Sequence, residues 1–545
     1  MNRRVAMFFD ALYQPYASNR FPLAARNGMV ATSSNLASAA GLEALRKGGN
    51  AVDAAVATAA ALTVVEPTSN GLGSDAFALV WINDDDKLYG MNSSGRAPKN
   101  ITAEKVRERV SDGQMPKHGW LPVMVPGAVS GWEALNKRFG RLSLAECLEP
   151  AIRYAEDGYP ITPMLTKMWA KCTERYRQLF GDKPEFQEYF RVFTKDGKPY
   201  EFGDMVRLPR HAKSLKLIAE QGRDVFYKGE IAEALVKQSE RDGGYFCMED
   251  MAEYETDWVE PIGVNYRGYY VWEIPPNGQG ITALMALNIL KEFEFKEKNC
   301  TDTLHLQLEA MKLAFSDSLH YVTDASRMKI DYHDLLRPEY GAERAKLIGR
   351  EAQVYMPGTP PAGGTVYLCT ADGEGNMVSY IQSNFWDFGS GIVVEDYGVS
   401  LQSRGATFSL NPEDANYLEP GKKSYHTIIP GFLTKGGKAV GPFGVMGAYM
   451  QPQGHVQVLM NMIDFGLNPQ MALDAPRWQW LEGKKIAVEK SFDTEIARQL
   501  AARGHEMQVF LEPASFGRGQ MILRLDNGVL IGGTESRTDS NIACW

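Results

Sequence analysis

The sequence predicts an α+β fold in which antiparallel sheets lie between layers of helix. Three observations carry that expectation. Apolar runs at 76–81 and 88–92, joined by the acidic turn Asp84-Asp85-Asp86, read as a hairpin. It follows an alanine-rich stretch, 51–65, that is apolar on nearly every side and suits a helix at the packed centre of a large protein. Near the end of the chain a second hairpin pairs 521–524 with 528–531 around the turn Asp526-Asn527-Gly528. A doubly wound parallel sheet would alternate strand and helix instead. Size permits such a core. For 545 residues and 60.6 kDa, about three quarters of the extended surface can be buried.

In order along the chain, residues 1–25 are aromatic, proline-bearing and irregular, an arm laid on the surface. Residues 28–32 read as a strand. Ser33, Ser34 and Asn35 can cap a helix over 36–47, which Gly48-Gly49 stops. Pro67 ends the helix at 51–65, and Asn70–Asp75 is a glycine-bearing turn. From 132 to 220 the pattern is mostly helical, with Pro150 early in one helix, a solvated excursion at 171–200 and a helix at 210–221. Strand character returns over 254–275. Two strong helices follow, 281–293 and 304–325, then turn-rich sequence over 326–360. Short strands are expected at 365–370, 377–383 and 391–394, a helix at 455–465 that Gly466 closes, and a strand at 507–510.

Composition narrows the function classes. Hydrophobic residues make up 44% and charged residues 23%, as in a soluble globular protein. The net charge is −9 and there is no long basic block, so nucleic acid is not an expected partner. Six scattered cysteines form neither a disulfide framework nor a CxxC, and read as reduced thiols. There is no sustained apolar leader and no stretch of the roughly 20 apolar residues that a membrane span needs. A cytoplasmic protein without a membrane partner is expected. Gly71, Gly73 and Ser74 lack a Walker lysine, and no GxGxxG, HExxH or GxSxG is present. His305 and Glu309 lie one helical turn apart, but a hydrogen bond is the expected use, so neither a metal nor an organic cofactor is expected.

One junction can carry chemistry. Gly363-Gly364-Thr365 opens a strand. A threonine hydroxyl is a weak nucleophile until a base sits beside it, and a free α-amine with a pKa near 8 is such a base. That amine exists only if the bond before Thr365 is cut. Read alone, the junction is an ordinary loop-to-strand turn.

Several segments together are more specific: Gly48–Ala55, Glu66–Asp75, Pro126–Val129, Pro275–Gly280, Phe388–Ile392 and Asp464–Asn468. In order and spacing the chain resembles the gamma-glutamyltransferase family of self-cleaving N-terminal threonine hydrolases, most closely its bacterial glutathione hydrolase-like and cephalosporin acylase-like proenzymes. The resemblance spans about 28–537. It implies the four-layer αββα sandwich of N-terminal-nucleophile hydrolases. It also implies cleavage between Gly364 and Thr365 into segments 1–364 and 365–545, which would stay together as one heterodimeric unit and could form a higher oligomer.

The same resemblance implies Thr365 as nucleophile, its freed amine as base, and Ser383 in support, where the family has threonine. Gly447 and Ala448 match the Gly-Gly pair whose N–H groups form the oxyanion hole. The substrate pocket departs further. Ser94 stands at the family's carboxylate-binding arginine, with Arg96 two places on. His426-Thr427 replaces a serine pair, Thr407 an aspartate for the α-amine, Arg404 a Gln/Glu, and Phe385 an asparagine. Tyr449 follows the oxyanion pair. Loss of the acid and gain of Arg404 favour an acyl group with a carboxylate and no amine, glutaryl-like or oxamate-like. Alternatively, Arg404 and Arg96 pair with structural carboxylates. The leading expectation is an amidohydrolase or acylase acting through a Thr365 acyl-enzyme. Alternatives are a glutathione hydrolase or gamma-glutamyltransferase with a rearranged clamp, and an uncleaved homologue with a structural or binding role.

Overall fold

The structure, a computed structural model, describes residues 20–355 and 364–545. Most of the expected arm, and Pro361 to Gly363, lie outside the described residues.

Two seven-stranded antiparallel sheets stack face to face. The strands are β1 Leu23–Ala25, β2 Gly28–Thr32, β3 Asp75–Ile82, β4 Lys87–Ser93, β5 Asp257–Val259, β6 Ile262–Tyr266, β7 Tyr269–Glu273, β8 Gly364–Asp372, β9 Met377–Phe385, β10 Gly431–Lys435, β11 Lys438–Met446, β12 Arg518–Arg524, β13 Leu530–Thr534 and β14 Asn541–Cys544. The first sheet runs β14-β2-β8-β9-β3-β4-β5 and the second β1-β13-β12-β11-β10-β7-β6. Between them lies an apolar core in which Phe77, Leu79, Tyr367 and Ile381 meet Ile428, Phe432, Met446 and Ile522. Helices α1 Asn35–Arg46 and α2 Ala51–Val65 cover the first sheet, and α3 Gly280–Leu290, α4 Thr301–Tyr321 and α5 Met450–Ile463 cover the second. The four layers are α, β, β and α.

Local chemistry explains most boundaries. Every residue of α2 is buried. Its first turn is closed by a capping box, Asn50 accepting from the backbone of Asp53 and Asp53 accepting from that of Asn50. α1 begins after Ser34, whose side chain makes no capping bond, and the neighbouring Ser33 hydroxyl donates to Glu66 instead. The 76–81/88–92 hairpin forms in the register Ala76↔Ser93 to Ile82↔Lys87. The C-terminal hairpin forms as well, longer than expected, with Gly528 at φ +83° in its turn.

Several expectations need correction. Residues 23–25 are an edge strand on β13 rather than irregular arm. Residues 391–394 yield only Val393–Val394, paired with Val399–Ser400 outside the sandwich. The 326–360 stretch contains the helix Pro338–Ala345. β10 and β11, at the centre of the second sheet, were not expected, because Gly431, Gly436, Gly437, Gly441 and Gly444 mask their strand character. Packing demands three of them, Gly431, Gly441 and Gly444, whereas Gly436 and Gly437 have open space around them and serve the turn at positive φ. A Cβ on Gly444 would come within 2.5 Å of the Tyr367 ring on the facing sheet.

Candidate active site

Thr365 lies one residue into β8, buried, where the ladder to β9 is irregular. Gly364 faces Phe385 and Val366 faces Gln382, so Ser383 and Asn384 together oppose the single residue Thr365. Such a bulge re-aims side chains out of the regular pleat. Phe385 sits at φ +73°, in the left-handed region. The Thr365 and Ser383 hydroxyl oxygens are 3.0 Å apart, and Ser383 also accepts the Phe385 N–H at 2.8 Å. The expected nucleophile and its supporting hydroxyl are therefore in hydrogen-bond contact.

β9 places Ser383 beside Asp75, the first residue of β3. Asp75 was quoted in the sequence motif without a role, yet it is the hub of the buried polar cluster. Its Oδ1 accepts the Gly95 N–H at 3.0 Å and its Oδ2 lies 3.0 Å from His426 Nε2. His426 Nδ1 accepts the Ile428 N–H at 3.4 Å, which leaves Nε2 as the donor to Asp75. Burial, reinforced by the nearby Arg404 charge, holds the imidazole pKa down at about 3, so His426 is neutral at physiological pH.

Arg404 stands against this group, 1% exposed, with its guanidinium 4.4 Å from the centre of the Phe385 ring. Nη1 donates to Thr427 Oγ1 at 2.6 Å. Nε is 3.7 Å from Asp75 Oδ2, beyond a hydrogen bond, and neither Nε nor Nη2 has a partner among the described residues. Burial pushes the guanidinium pKa down to about 10, against the pull of Asp75, and the group stays charged at neutral pH. Tyr449 is close enough that the Arg404 charge offsets part of the upward push that burial gives its phenol. It stacks on Tyr425 at 5.9 Å.

Gly447 and Ala448 form the turn between β11 and α5, at φ +139° and +51°. Gln279 fixes the turn, its Nε2 donating to the carbonyls of Ala448 at 2.8 Å and Thr427 at 2.6 Å. The N–H groups of Gly447 and Ala448 donate to nothing among the described residues. They also precede the positive end of a 14-residue helix, where a developing negative charge is favoured.

Other expected pocket residues are engaged elsewhere. Arg96, its side chain nearly half exposed, binds Asp324 and the Gly421 carbonyl at 3.2 Å each, which matches the structural alternative for it. The Thr407 hydroxyl is within 2.9 Å of the carbonyl oxygens of Arg404 and Tyr425, so it braces backbone. Ser94 donates to Asn92. The buried ammonium of Lys423, 3.3 Å from Asn92 and 2.6 Å from Asp257, escaped sequence reasoning, as did Arg518, whose Nη2 is 3.3 Å from the Thr365 carbonyl oxygen. Neither stands in a motif that would have singled it out.

Away from this site, His305 and Glu309 are joined by His505, with the two imidazoles 2.9 Å apart. The Lys312 ammonium lies against Glu309 and donates to the Gln353 carbonyl at 2.7 Å.

Comparison with known proteins bears on the family and the fold. The gamma-glutamyltranspeptidase family model matches residues 37–545. The glutathione hydrolase-like YwrD proenzyme of Bacillus subtilis is 36% identical over 94% of this chain and 97% of its own. The oxamate amidohydrolase proenzyme of Klebsiella pneumoniae is 32% identical over 95% and 98%. The crystal structure of cephalosporin acylase from Bacillus halodurans superposes with a TM-score of 0.96 at 54% identity, covering 99% of both chains. The chain therefore belongs to the gamma-glutamyltranspeptidase family and is a self-processing enzyme of its N-terminal threonine hydrolase class.

Proposed function

We propose that this enzyme hydrolyses the amide of a small acyl group bearing a carboxylate and no α-amine, with Thr365 as nucleophile. Maturation begins when the Thr365 hydroxyl attacks the Gly364 carbonyl. The acyl shifts from nitrogen to oxygen, and water opens the ester, leaving segments 1–364 and 365–545 and a free Thr365 α-amine. In turnover that amine takes the Thr365 hydroxyl proton as Oγ1 attacks the substrate carbonyl. The tetrahedral oxyanion is held by the N–H groups of Gly447 and Ala448, each worth a few kcal/mol in such a site. The C–N bond then breaks, the leaving amine carries off the proton, and water hydrolyses the Thr365 ester. Transfer to an amine would need an acceptor site, for which no group among the described residues speaks. A cytoplasmic location belongs to the same proposal, supported by six unpaired thiols.

The observation that carries the substrate reading is Arg404. Asp75 at 3.7 Å gives Arg404 a structural ion pair, but a fully buried guanidinium whose Nε and Nη2 make no hydrogen bond is costly unless a ligand completes it. It is linked to the nucleophile by a short path, through the Phe385 ring and Ser383 to Thr365. A carboxylate meeting Nε and Nη2 would make the paired, charge-assisted contact that guanidinium geometry favours. An α-ammonium would meet this cation, and the acid beside it, Asp75, already accepts from Gly95 and His426, while Thr407 offers only a hydroxyl engaged with backbone. The names of two relatives, an oxamate amidohydrolase and a cephalosporin acylase, support a non-glutamyl acyl group.

The test compares glutaryl-p-nitroanilide with gamma-glutamyl-p-nitroanilide. One charge-assisted hydrogen bond, roughly 1.5–3 kcal/mol, corresponds to at least about tenfold in kcat/KM. At least tenfold in favour of glutaryl is expected, with Arg404→Glu abolishing the preference while Gly364–Thr365 cleavage persists. A strong preference for glutamyl would establish the glutathione hydrolase alternative instead.

A further inference from the structure

Arg518 opens β12, and its buried guanidinium holds together four elements. Nη1 donates to Glu66 Oε1 at 2.6 Å, and Nη2 lies 3.3 Å from both Ser69 Oγ and the Thr365 carbonyl oxygen. Nε is 3.2 Å from Met446 Sδ, on the residue before the Gly447-Ala448 turn. The second Glu66 oxygen accepts the Ser33 hydroxyl, so the carboxylate is fixed from β2 as well as from β12. A buried ion pair thus bears on the backbone of the nucleophile, next to the turn that would receive the oxyanion.

We propose that Glu66–Arg518 is a positioning pair that sets the proton affinity of the Thr365 α-amine. The proposal rests on the reading of Thr365 as an N-terminal nucleophile. The carbonyl oxygen and amine nitrogen of one residue are about 3 Å apart, which puts the guanidinium within about 6 Å of the amine. A cation there disfavours the ammonium form and keeps the amine a free base near neutrality, as proton abstraction requires. Glu66, which meets Nη1 while Nη2 faces the Thr365 carbonyl, acts in the opposite sense. The other charged groups near Thr365, Asp75 and Arg404, are the same in every variant below, and His426 is neutral.

The experiment measures the acidic limb of kcat/KM against pH for wild type, Arg518→Gln, Arg518→Lys and Glu66→Gln, with the mass of the small chain determined for each. Arg518→Gln removes the cation and leaves Glu66, so its limb is expected about half to one unit higher. Glu66→Gln leaves the cation uncompensated, so its limb is expected lower. Arg518→Lys keeps the charge and is expected within about 0.2 units of wild type, even if kcat falls through lost geometry. A purely structural pair would weaken both neutral variants alike without moving their limbs apart. Coincident limbs, or limbs displaced in the same direction, overturn the proposal. If Arg518→Gln does not yield folded, cleaved enzyme, the direction of the Glu66→Gln limb decides. A small chain that begins anywhere other than Thr365 overturns the nucleophile assignment instead, independently of the limbs.

Discussion

Single residues differ sharply in how much of their surroundings their own sequence neighbourhood announces. Thr365 and Ser383 were legible because motif order fixed both, and 18 positions of chain return one to the other across a single hairpin. Arg404 was legible as a charge but not as a buried one. Its environment is made by Asp75, Phe385 and Thr427, none of them near it in sequence. The same long-range enclosure acts on His211, which is buried between the Thr63 hydroxyl and the Gly398 carbonyl. Burial lowers its pKa from 6.5 to about 4. Above pH 6.5 the ring is neutral whether the chain is folded or unfolded. Below it the unfolded chain takes up a proton first, so stability is lost as the pH falls from 6.5 towards 4. At pH 5.5 the loss from this residue is about 1 kcal/mol. Urea unfolding at pH 7.5 and 5.5 checks it. His211→Gln is expected to lose about 1 kcal/mol less than wild type between those two conditions. Equal losses in the two proteins would show that His211 titrates normally.

At the scale of elements, the strongest sequence signals were periodic and local. The α2 helix, the β3–β4 hairpin and the last hairpin declare themselves through alanine content, alternation and turn residues. β10 and β11 did not, because what they require is absence of side chain. The two sheets approach so closely that Gly444 faces the Tyr367 ring on β8, two residues from Thr365 in sequence. Gly444→Ala is expected to force the sheets apart or displace that ring. It should destabilise the protein by about 1–3 kcal/mol, the usual cost of overpacking. It should also slow turnover, since β8 carries the nucleophile. Urea denaturation with a parallel rate measurement checks this. The smaller ring-free side chain in the double variant Gly444→Ala/Tyr367→Leu should restore part of the stability. Unchanged stability in Gly444→Ala would mean that the layers slide freely and that glycine there has no packing role.

The whole molecule interleaves its two prospective segments. In the first sheet β8, from the second segment, runs between β2 of the first and β9, and β3 follows on the far side of β9. Ion pairs such as Glu66–Arg518 cross the same boundary. Breaking one peptide bond leaves all this buried area in place, so the segments are expected to remain one body. The architecture was legible through family resemblance, whereas the sheet order was not, since strands 332 residues apart such as β2 and β8 become neighbours only in space. No helix among the described residues is long and apolar enough to cross a membrane. The claim on which the site, the substrate reading and the Glu66–Arg518 proposal all depend is that Thr365 becomes an N-terminus. Intact-mass spectrometry of the purified protein, with sequencing of its smaller chain, tests it most directly. The expected result is two co-eluting chains, the smaller beginning at Thr365, and a single chain of 60.6 kDa for Thr365→Ala. An active wild-type enzyme that remains one full-length chain, or whose smaller chain begins at any other residue, would contradict it.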